Sequence, residues 1–424
     1  MTASIRRIGL SLGADLCWPA CFEALIRRLD LEIPVGRERV RFEVERVTIE
    51  PFSLRQPVRY DVVIDRITHW YMPTREWVKK LVVHDDTYVL NNPWSIQSME
   101  KHTTYAAMMR LGFPVPETWL IPPKSYEPRE DLETTLKRYA RFFDLAEIGK
   151  RIGYPLFMKP YDGGAWVGVS KIDDEAALRD AYERSGTRVM HLQKAVAPFD
   201  LFVRGLGFGP QFAAFRYEPS APLHARYIPG PSGLSKEDFA LLKDMTLTIN
   251  TFFGWDFNSC EALRKDGVYH PIDFANACPD SQVTSLHYHF PWLVKAYVRW
   301  ALFCAATRRK KRPNLDWEPF FAIAREDAPF KDKLRRYGAI ARASLDETHF
   351  EEFCAEHLAD FDEVAWDFFG TDEARAAVRA KVGALFPPHE IEGFTEHFWR
   401  QIQDWRRDDR AARGAGKKAA AARG

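Results

Sequence analysis

The hydrophobic pattern of this chain changes period twice, and those changes constrain the fold more tightly than any single motif. Over the first 120 residues, apolar or β-branched runs alternate with helical spacing: RIGLSLG, WPACFEALIRRL, VRFEVERVTIEP, YDVVIDR and PTREWVKKLVV. Such alternation predicts a small α/β lobe. Open parallel sheets bind ligands beyond the carboxyl ends of their strands, which places residues 11–15 (SLGAD) and 65–70 (DRITHW) at a crevice. SIQSMEKHTTYAAMMRLGFPVPETWLI then reads as a helix stopped by Gly112 and Pro114, followed by a strand. Residues 124–150 are polar and helical, and residues 154–290 are strand-rich with glycine turns. From 291 to Trp405 the spacing is helical, beginning with the amphipathic WLVKAYVRWALFCAATRRKKR. The final RRDDRAARGAGKKAAAARG is poor in large apolar residues and is expected to be a disordered, solvated tail.

Composition narrows the function classes. A chain of 424 residues, 46% hydrophobic, can bury several cores. Sixty Lys and Arg against 59 Asp and Glu leave a formal charge of +1, so nothing pulls the whole molecule toward nucleic acid or a membrane, and any anion site must be local. Six scattered cysteines form no CxxC pair, which argues against a disulfide framework or a zinc site; Cys17 and Cys21 share a helical face and read as packing. No long apolar core opens the chain and no apolar run reaches ~18 residues, so a cytoplasmic protein without membrane contact is expected.

Within YPLFMKPYDGGAWVGVSKID, the apolar run 154–158 predicts a buried strand ended by Lys159, and a second strand begins near Val167. The result is a hairpin with Gly163, Gly164 and Gly168 at its tip. Glycines let backbone N–H groups approach phosphate oxygens, and a lysine at the strand end supplies charge to the same oxygens. The same glycines also suit an ordinary turn, and the segment matches neither a Walker A loop nor a Rossmann fingerprint. Downstream, TRVMHLQKAVAPFDLFVR gives a strand, a break and then Asp200 and Arg204. The break can expose backbone groups to an adenine edge and Asp200 can accept from ribose hydroxyls, although a surface aspartate on a plain turn fits equally. In FNSCEALRKDGVYHPIDFANACPD, two strands flank the turn RKDG, with Glu261 and Asp273 twelve apart and Asn276 just behind. A hairpin brings both carboxylates to one end, where hard oxygen donors suit Mg²⁺.

Together these residues resemble the ATP-grasp superfamily, on its carboxylate-amine ligase side (the glutathione synthetase and RimK-like type), over roughly residues 85–280. The resemblance implies a Rossmann-like pre-domain over 1–95, an ATP-grasp domain of two α+β subdomains over 96–290, a helical region over 291–405 and the basic tail over 406–424. In that family the nucleotide lies between the two subdomains. Carried over, Lys101 and Lys159 are the nucleotide lysines, and Asp162 with Gly163, Gly164 and Gly168 forms the loop over the β- and γ-phosphates. Gln193, Lys194 and Val196 form the adenine hinge, and Asp200 is the ribose acid. Arg204, Arg216 and Arg226 neutralise the transferring phosphoryl group and substrate carboxylate, while Glu261, Asp273 and Asn276 hold two Mg²⁺ ions. The hinge carries Gln193 where a glutamate is usual. DFAN places two residues between acid and asparagine where the family has one, which on a strand reverses the face of the side chain. A bulge at Phe274 or Ala275 would restore it.

The chemistry so implied is ATP-dependent phosphorylation of a carboxylate to an acylphosphate, followed by attack of an amine and release of ADP and phosphate. The partners implied are small-molecule or peptide acids and amines, with no specific nucleic acid. A kinase that stops at phosphorylation and a non-catalytic nucleotide-binding scaffold are the alternatives. Asp15, Arg66 and His69, with Asp280, Ser281, His287 and His289, are the positions that would line an acceptor pocket. His287 and His289 suit a structural role or a substrate hydrogen bond better than a metal pair. The aromatic helical C-terminus suits a packed cap, a homo-oligomer interface or a partner surface alike.

Overall fold

The first apolar run becomes β1 (Ser4–Ser11), with Ile8 and Leu10 fully buried. This computed structural model describes residues 4–421 except 49, 96–99, 163–166 and 277, with side chains to 414. The chain forms two units: Met1–Ile96, Val203–Ser259 and Asn276–Gly424 make one, and Gln97–Phe202 with Cys260–Ala275 the other.

In the first unit, β1 is followed by α1 (Cys17–Leu29), β2 (Glu32–Val35), β3 (Glu38–Arg46), β4 (Val62–Asp65), α2 (Met72–His84) and β5 (Tyr88–Leu90). The sheet order is β2-β3-β1-β4-β5, parallel except for the β2–β3 pair. Val63 and Val89 on the sheet pack with Val78 and Leu81 of α2, the packing a crossover helix needs. The expected α/β lobe is present, and Cys17 and Cys21 are both buried within α1.

The second unit contains α3 (Lys101–Arg110), β6 (Thr118–Ile121), α4 (Leu132–Tyr139), α5 (Leu145–Ile152), β7 (Leu156–Pro160), β8 (Ser170–Ile172), α6 (Glu175–Ser185) and β9 (Met190–Lys194). Its sheet is antiparallel with order β6-β9-β7-β8. Strand alternation sends Leu156, Met158 and Leu192 into one core with Ile152 of α5 and Leu178 of α6. Each such side chain contributes about 1.5–3 kcal/mol. Residues of the opposite parity, Lys159, His191 and Gln193, are thereby displayed on the other face.

Next come β10 (Leu201–Phe208), β11 (Gln211–Arg216), α7 (Lys236–Phe253), β12 (Phe257–Lys265) and β13 (Val268–Asp273). β10 and β11 form a hairpin, as do β12 and β13. The 18-residue α7 lies in the stretch expected to be strand-rich. Its β-branched threonines and isoleucine favour strand, but Ser235 caps its start and Gly254, at φ +67°, ends it. A glycine is needed at 207 on β10 because a Cβ there would meet the Asn250 amide of α7 at 2.5 Å.

The remainder is helical: α8 (Val283–Leu286), inside the stretch expected to be strand-rich, and then, as expected, α9 (Phe290–Ala306), α10 (Glu318–Ala324), α11 (Phe330–Ser344), α12 (Glu347–His357), α13 (Phe361–Phe368), α14 (Asp372–Gly383) and α15 (Ile391–Ala421). The predicted amphipathic α9 is buried on nearly every face and packs on β1 and β4, so it is a core helix rather than a surface one. α15 runs on through the stretch expected to be disordered. Arg410 and Arg413 donate to Glu363 at 2.8 and 3.1 Å, and the alanine-rich composition that lowers hydrophobicity also favours helix. No described helix is long and apolar enough to cross a membrane.

Candidate functional site

In the second unit, α3 begins with Lys101, a cation at the positive end of the helix dipole and unfavourable there unless an anion compensates. Asp273, the last residue of β13, is that anion: Lys101 Nζ lies 2.8 and 2.6 Å from its two oxygens, and the lysine is 4% exposed. Glu261 on β12 pairs directly with Asp273 across the ladder. Two carboxylates directly opposite each other repel, and Glu261 is buried. The sequence spacing thus does bring both acids to one place, with a cation already against one of them.

The ladder also contains a bulge, but not where it was expected. Glu261 pairs with Asp273 and Ala262 with Pro271, leaving Ile272 as the extra residue. β13 ends at Asp273, so strand alternation does not govern Phe274 to Asn276. The Ile272 carbonyl accepts from Lys159 Nζ at 3.0 Å and from Tyr105 Oη at 2.8 Å. Lys159 Nζ also donates to Gln193 Oε1 at 2.7 Å and to Tyr105 Oη at 3.1 Å. The Gln193 amide in turn donates to Thr118 Oγ1 at 2.9 Å. Gln193 gives Lys159 a neutral acceptor.

That choice leaves Lys159 buried with no carboxylate of a described residue at hydrogen-bond distance. Burial pushes its pKa down to about 8; Asp273 and Glu261 pull it up, and Lys101 pushes it down further. Burial with the same two acids raises the Tyr105 phenol well above its ordinary value, so it acts here as a neutral hydroxyl. Directly opposite Lys159 on β9 stands His191, fully buried, with neither ring nitrogen hydrogen-bonded to a described residue. Burial, then Lys159, His102 and Lys101, push its pKa down to about 3. Its ring centroid is 5.8 Å from that of Tyr105.

At the end of β9, the Lys194 N–H donates to the Glu117 carbonyl at 2.9 Å. The neighbouring Val196 is half-buried. Asp200 is exposed and held by Arg264, whose Nη2 donates to Oδ2 at 2.6 Å and Nε to Oδ1 at 3.2 Å. That side-chain bond holds the Asp200 carboxyl below its usual range. Asp162 and Gly168 are exposed at the tip of the β7–β8 hairpin. Gly163, Gly164 and Trp166 lie outside the described residues.

Arg204, Arg216, Arg226 and Asn276, with all the positions expected to line an acceptor pocket, lie in the first unit. Arg204 on β10 stacks over the rings of Tyr217 and Tyr227, each 5.5 Å away. Arg216 ends β11 and is exposed, while Arg226 Nε donates to the Ala221 carbonyl at 3.0 Å. The Asn276 N–H donates to Asn258 Oδ1 at 3.0 Å, and Asn258 bonds Asn250 of α7 at 3.0 Å, so a buried amide chain fixes its backbone. His289 Nε2 is 2.8 Å from the Ile228 carbonyl and His287 Nδ1 accepts from the Tyr288 N–H at 2.8 Å, as structural histidines would. Among the described residues no three His, Cys, Asp or Glu side chains form a metal-holding group.

Sequence reasoning missed Tyr105, His191 and Arg264. Tyr105 stands four residues after Lys101, on the same helical face, and that spacing was available as a signal. His191 has the parity of Gln193 along β9, but nothing in the sequence says its nitrogens lack partners. Arg264 reaches Asp200 only through folding.

No protein-family model and no curated protein matches the chain. Solved structures similar in fold include the following three. A RimK domain ATP-grasp protein from Sphaerobacter thermophilus is 15% identical, with TM-score 0.44, covering 65% of this chain and 92% of that one. D-alanine–D-alanine ligase from Bacillus anthracis, complexed with ATP, is 13% identical, with TM-score 0.48 and coverage of 72% and 99%. VanG D-Ala:D-Ser ligase from Enterococcus faecalis is 13% identical, with TM-score 0.46 and coverage of 80% and 100%.

Proposed function

We propose that this chain is an ATP-dependent ligase of the ATP-grasp type, which activates a carboxylate as an acylphosphate and joins it to an amine. The observation that carries the reading is Lys159: a buried lysine whose acceptors are a glutamine, a phenol and a bulged carbonyl, with no carboxylate among them. A buried ammonium without an ionic partner is costly, and a phosphate oxygen is the partner that the neighbouring glycine hairpin would present. Lys101 and Lys159 then bind the phosphates, with the loop containing Asp162, Gly163, Gly164 and Gly168 over them. Lys194 and Val196 offer backbone groups to adenine, and Asp200, oriented by Arg264, accepts from the ribose.

Glu261 and Asp273 suit Mg²⁺ because they are opposed hard-oxygen donors whose repulsion a cation relieves. The resemblance extends that role to Asn276. When bound, Mg²⁺ supplies charge neutralisation on the phosphates. In the reaction, a carboxylate oxygen attacks the γ-phosphorus and the bond to ADP breaks. The amine nitrogen then attacks the acyl carbon, phosphate leaves, and the amine loses its proton. The chain's own residues position and neutralise: lysines on the phosphates, with Arg204, Arg216 and Arg226 assigned to the transferring group and the acid. No side-chain nucleophile is required.

The test is an ATP and Mg²⁺ reaction with a panel of carboxylic acids and hydroxylamine, scored for ADP and for hydroxamate. Hydroxamate appearing with ADP supports acyl activation. ADP with a stable phosphorylated product and no hydroxamate would point to a kinase, and no nucleotide binding by calorimetry would end the ligase reading.

A further inference from the structure

Five lysines of the described chain are buried: Lys80, Lys101, Lys159, Lys295 and Lys381. Three are matched to carboxylates, Lys80 to Asp85 at 2.7 Å, Lys101 to Asp273 at 2.6 Å and Lys295 to Asp362 at 3.0 Å. Two are not. Lys159 is one. Lys381, on α14, is the other: it is 4% exposed, and its Nζ makes one hydrogen bond with a described residue, to the neutral Ala14 carbonyl at 3.0 Å. An ammonium has three donors, and burying it without an ionic partner costs several kcal/mol.

Lys381 and its surroundings all lie within the first unit. Ala14 lies in the exposed turn directly after β1, at the carboxyl end of a parallel sheet, where such sheets receive ligands. The nearby acids are engaged elsewhere. Asp15 Oδ2 accepts from the buried Arg66 Nε at 3.2 Å, and its Oδ1 accepts from Gln282 Nε2 at 3.0 Å. Asp280 accepts from the Gln282 N–H at 2.9 Å and from Ser285 Oγ. Arg66 also donates to the Pro279 carbonyl at 2.9 Å, which ties this crevice to the segment that follows Asn276. Burial lowers the Lys381 pKa, and Asp15 and Asp280 oppose that shift from nearby without forming an ion pair.

We propose that Lys381 is the recognition cation of a second anion site, at the carboxyl ends of β1 and β4, and that its ligand is a carboxylate. That the carboxylate belongs to a substrate rests on the ligase reading; the anion site itself does not. The C-terminal helices, which lie outside the ATP-grasp resemblance, would thus supply a specificity-determining residue to the N-terminal lobe.

The test is thermal unfolding of the full chain in sodium acetate, inorganic phosphate and acetamide, each against sodium chloride at matched ionic strength. Wild type, Lys381→Met and Lys381→Arg are compared. A ligand that binds only the folded state raises Tm. The expected result is a rise of a few degrees in acetate for wild type, lost in Lys381→Met, partly kept in Lys381→Arg and absent with acetamide. No acetate effect in wild type, or the same effect in Lys381→Met, overturns the site. A larger phosphate effect overturns the carboxylate assignment. Should Lys381→Met fail to fold, the wild-type series and Lys381→Arg still decide. ATP titration of wild type is a separate arm: its failure would sink the ligase reading and leave the acetate result standing.

Discussion

Lys101 Nζ lies within 2.8 Å of both carboxylate oxygens of Asp273, so an N-terminal helix residue and the last residue of a hairpin strand hold each other in place before any ligand arrives. The pair has two consequences. Asp273 has a cationic partner in a partly buried setting, and Lys101 has an anionic one at a helix start that disfavours a cation. Binding of ATP and Mg²⁺ would divide this pair between phosphate and metal.

Asp273→Asn should therefore retain the fold while removing the charge that Lys101 pairs with and that the proposed function gives to Mg²⁺. The expected outcome is loss of Mg²⁺-dependent ATP turnover by at least ~100-fold, the scale on which electrostatic stabilisers act, with an unchanged circular dichroism spectrum. Turnover at the wild-type rate would remove Asp273 from the site.

Lys159→Met keeps the aliphatic stem and deletes the charge. A charge-assisted phosphate contact is worth about 1.5–3 kcal/mol, so the Kd for a non-hydrolysable ATP analogue should rise roughly 10- to 150-fold by calorimetry. An unchanged Kd would mean that the phosphates lie elsewhere.

The same lysine sets a pH dependence. Its pKa of about 8 is below the ordinary lysine value, because burial disfavours the ammonium. Only the protonated form attracts phosphate, so affinity should be greatest below pH 8. Above it, affinity should weaken by up to about 10-fold per pH unit until the pKa of the bound state is reached. Calorimetry from pH 6.5 to 9.5 reads this directly, and Lys159→Met should flatten the profile.

Asp200 makes a separate prediction about the sugar. If Arg264 orients it toward the ribose hydroxyls, Asp200→Ala should weaken ATP binding about 10-fold and leave 2′,3′-dideoxy-ATP binding unaffected. Equal losses for both nucleotides would show that Asp200 serves only its ion pair with Arg264.

Three buried histidines predict the response to acid. His191 and His287 are pushed down to about 3 and His289 to about 4, with burial the largest cause in each. Below pH 6.5 the unfolded chain binds protons that these folded residues refuse, so stability falls as pH drops from 6.5 toward 4, by about 1.4 kcal/mol per pH unit per group. Asp65, raised to about 6 by burial, works in the opposite sense between pH 6 and its ordinary value. Denaturant titrations at pH 7 and 5 should show lower stability at pH 5, and His191→Leu should reduce the difference.

Much of the architecture was legible before folding was considered. Hydrophobic period follows local backbone geometry, so β1, α1, β4, α2, the β7–β8 hairpin and the C-terminal helices could be read from short windows. Lys159, Glu261 and Asp273 could be singled out because their chemistry is written in residue type and spacing. The 18-residue α7 escaped because its β-branched threonines suggest strand, while its caps and packing favour helix. The bulge at Ile272 escaped because pairing register depends on both strands at once. Whether a buried charge has a partner is likewise not a local property. Asp273 comes to Lys101 from 172 residues away and Ala14 to Lys381 from 367, and pairing, burial and pKa arise only when the chain closes those distances.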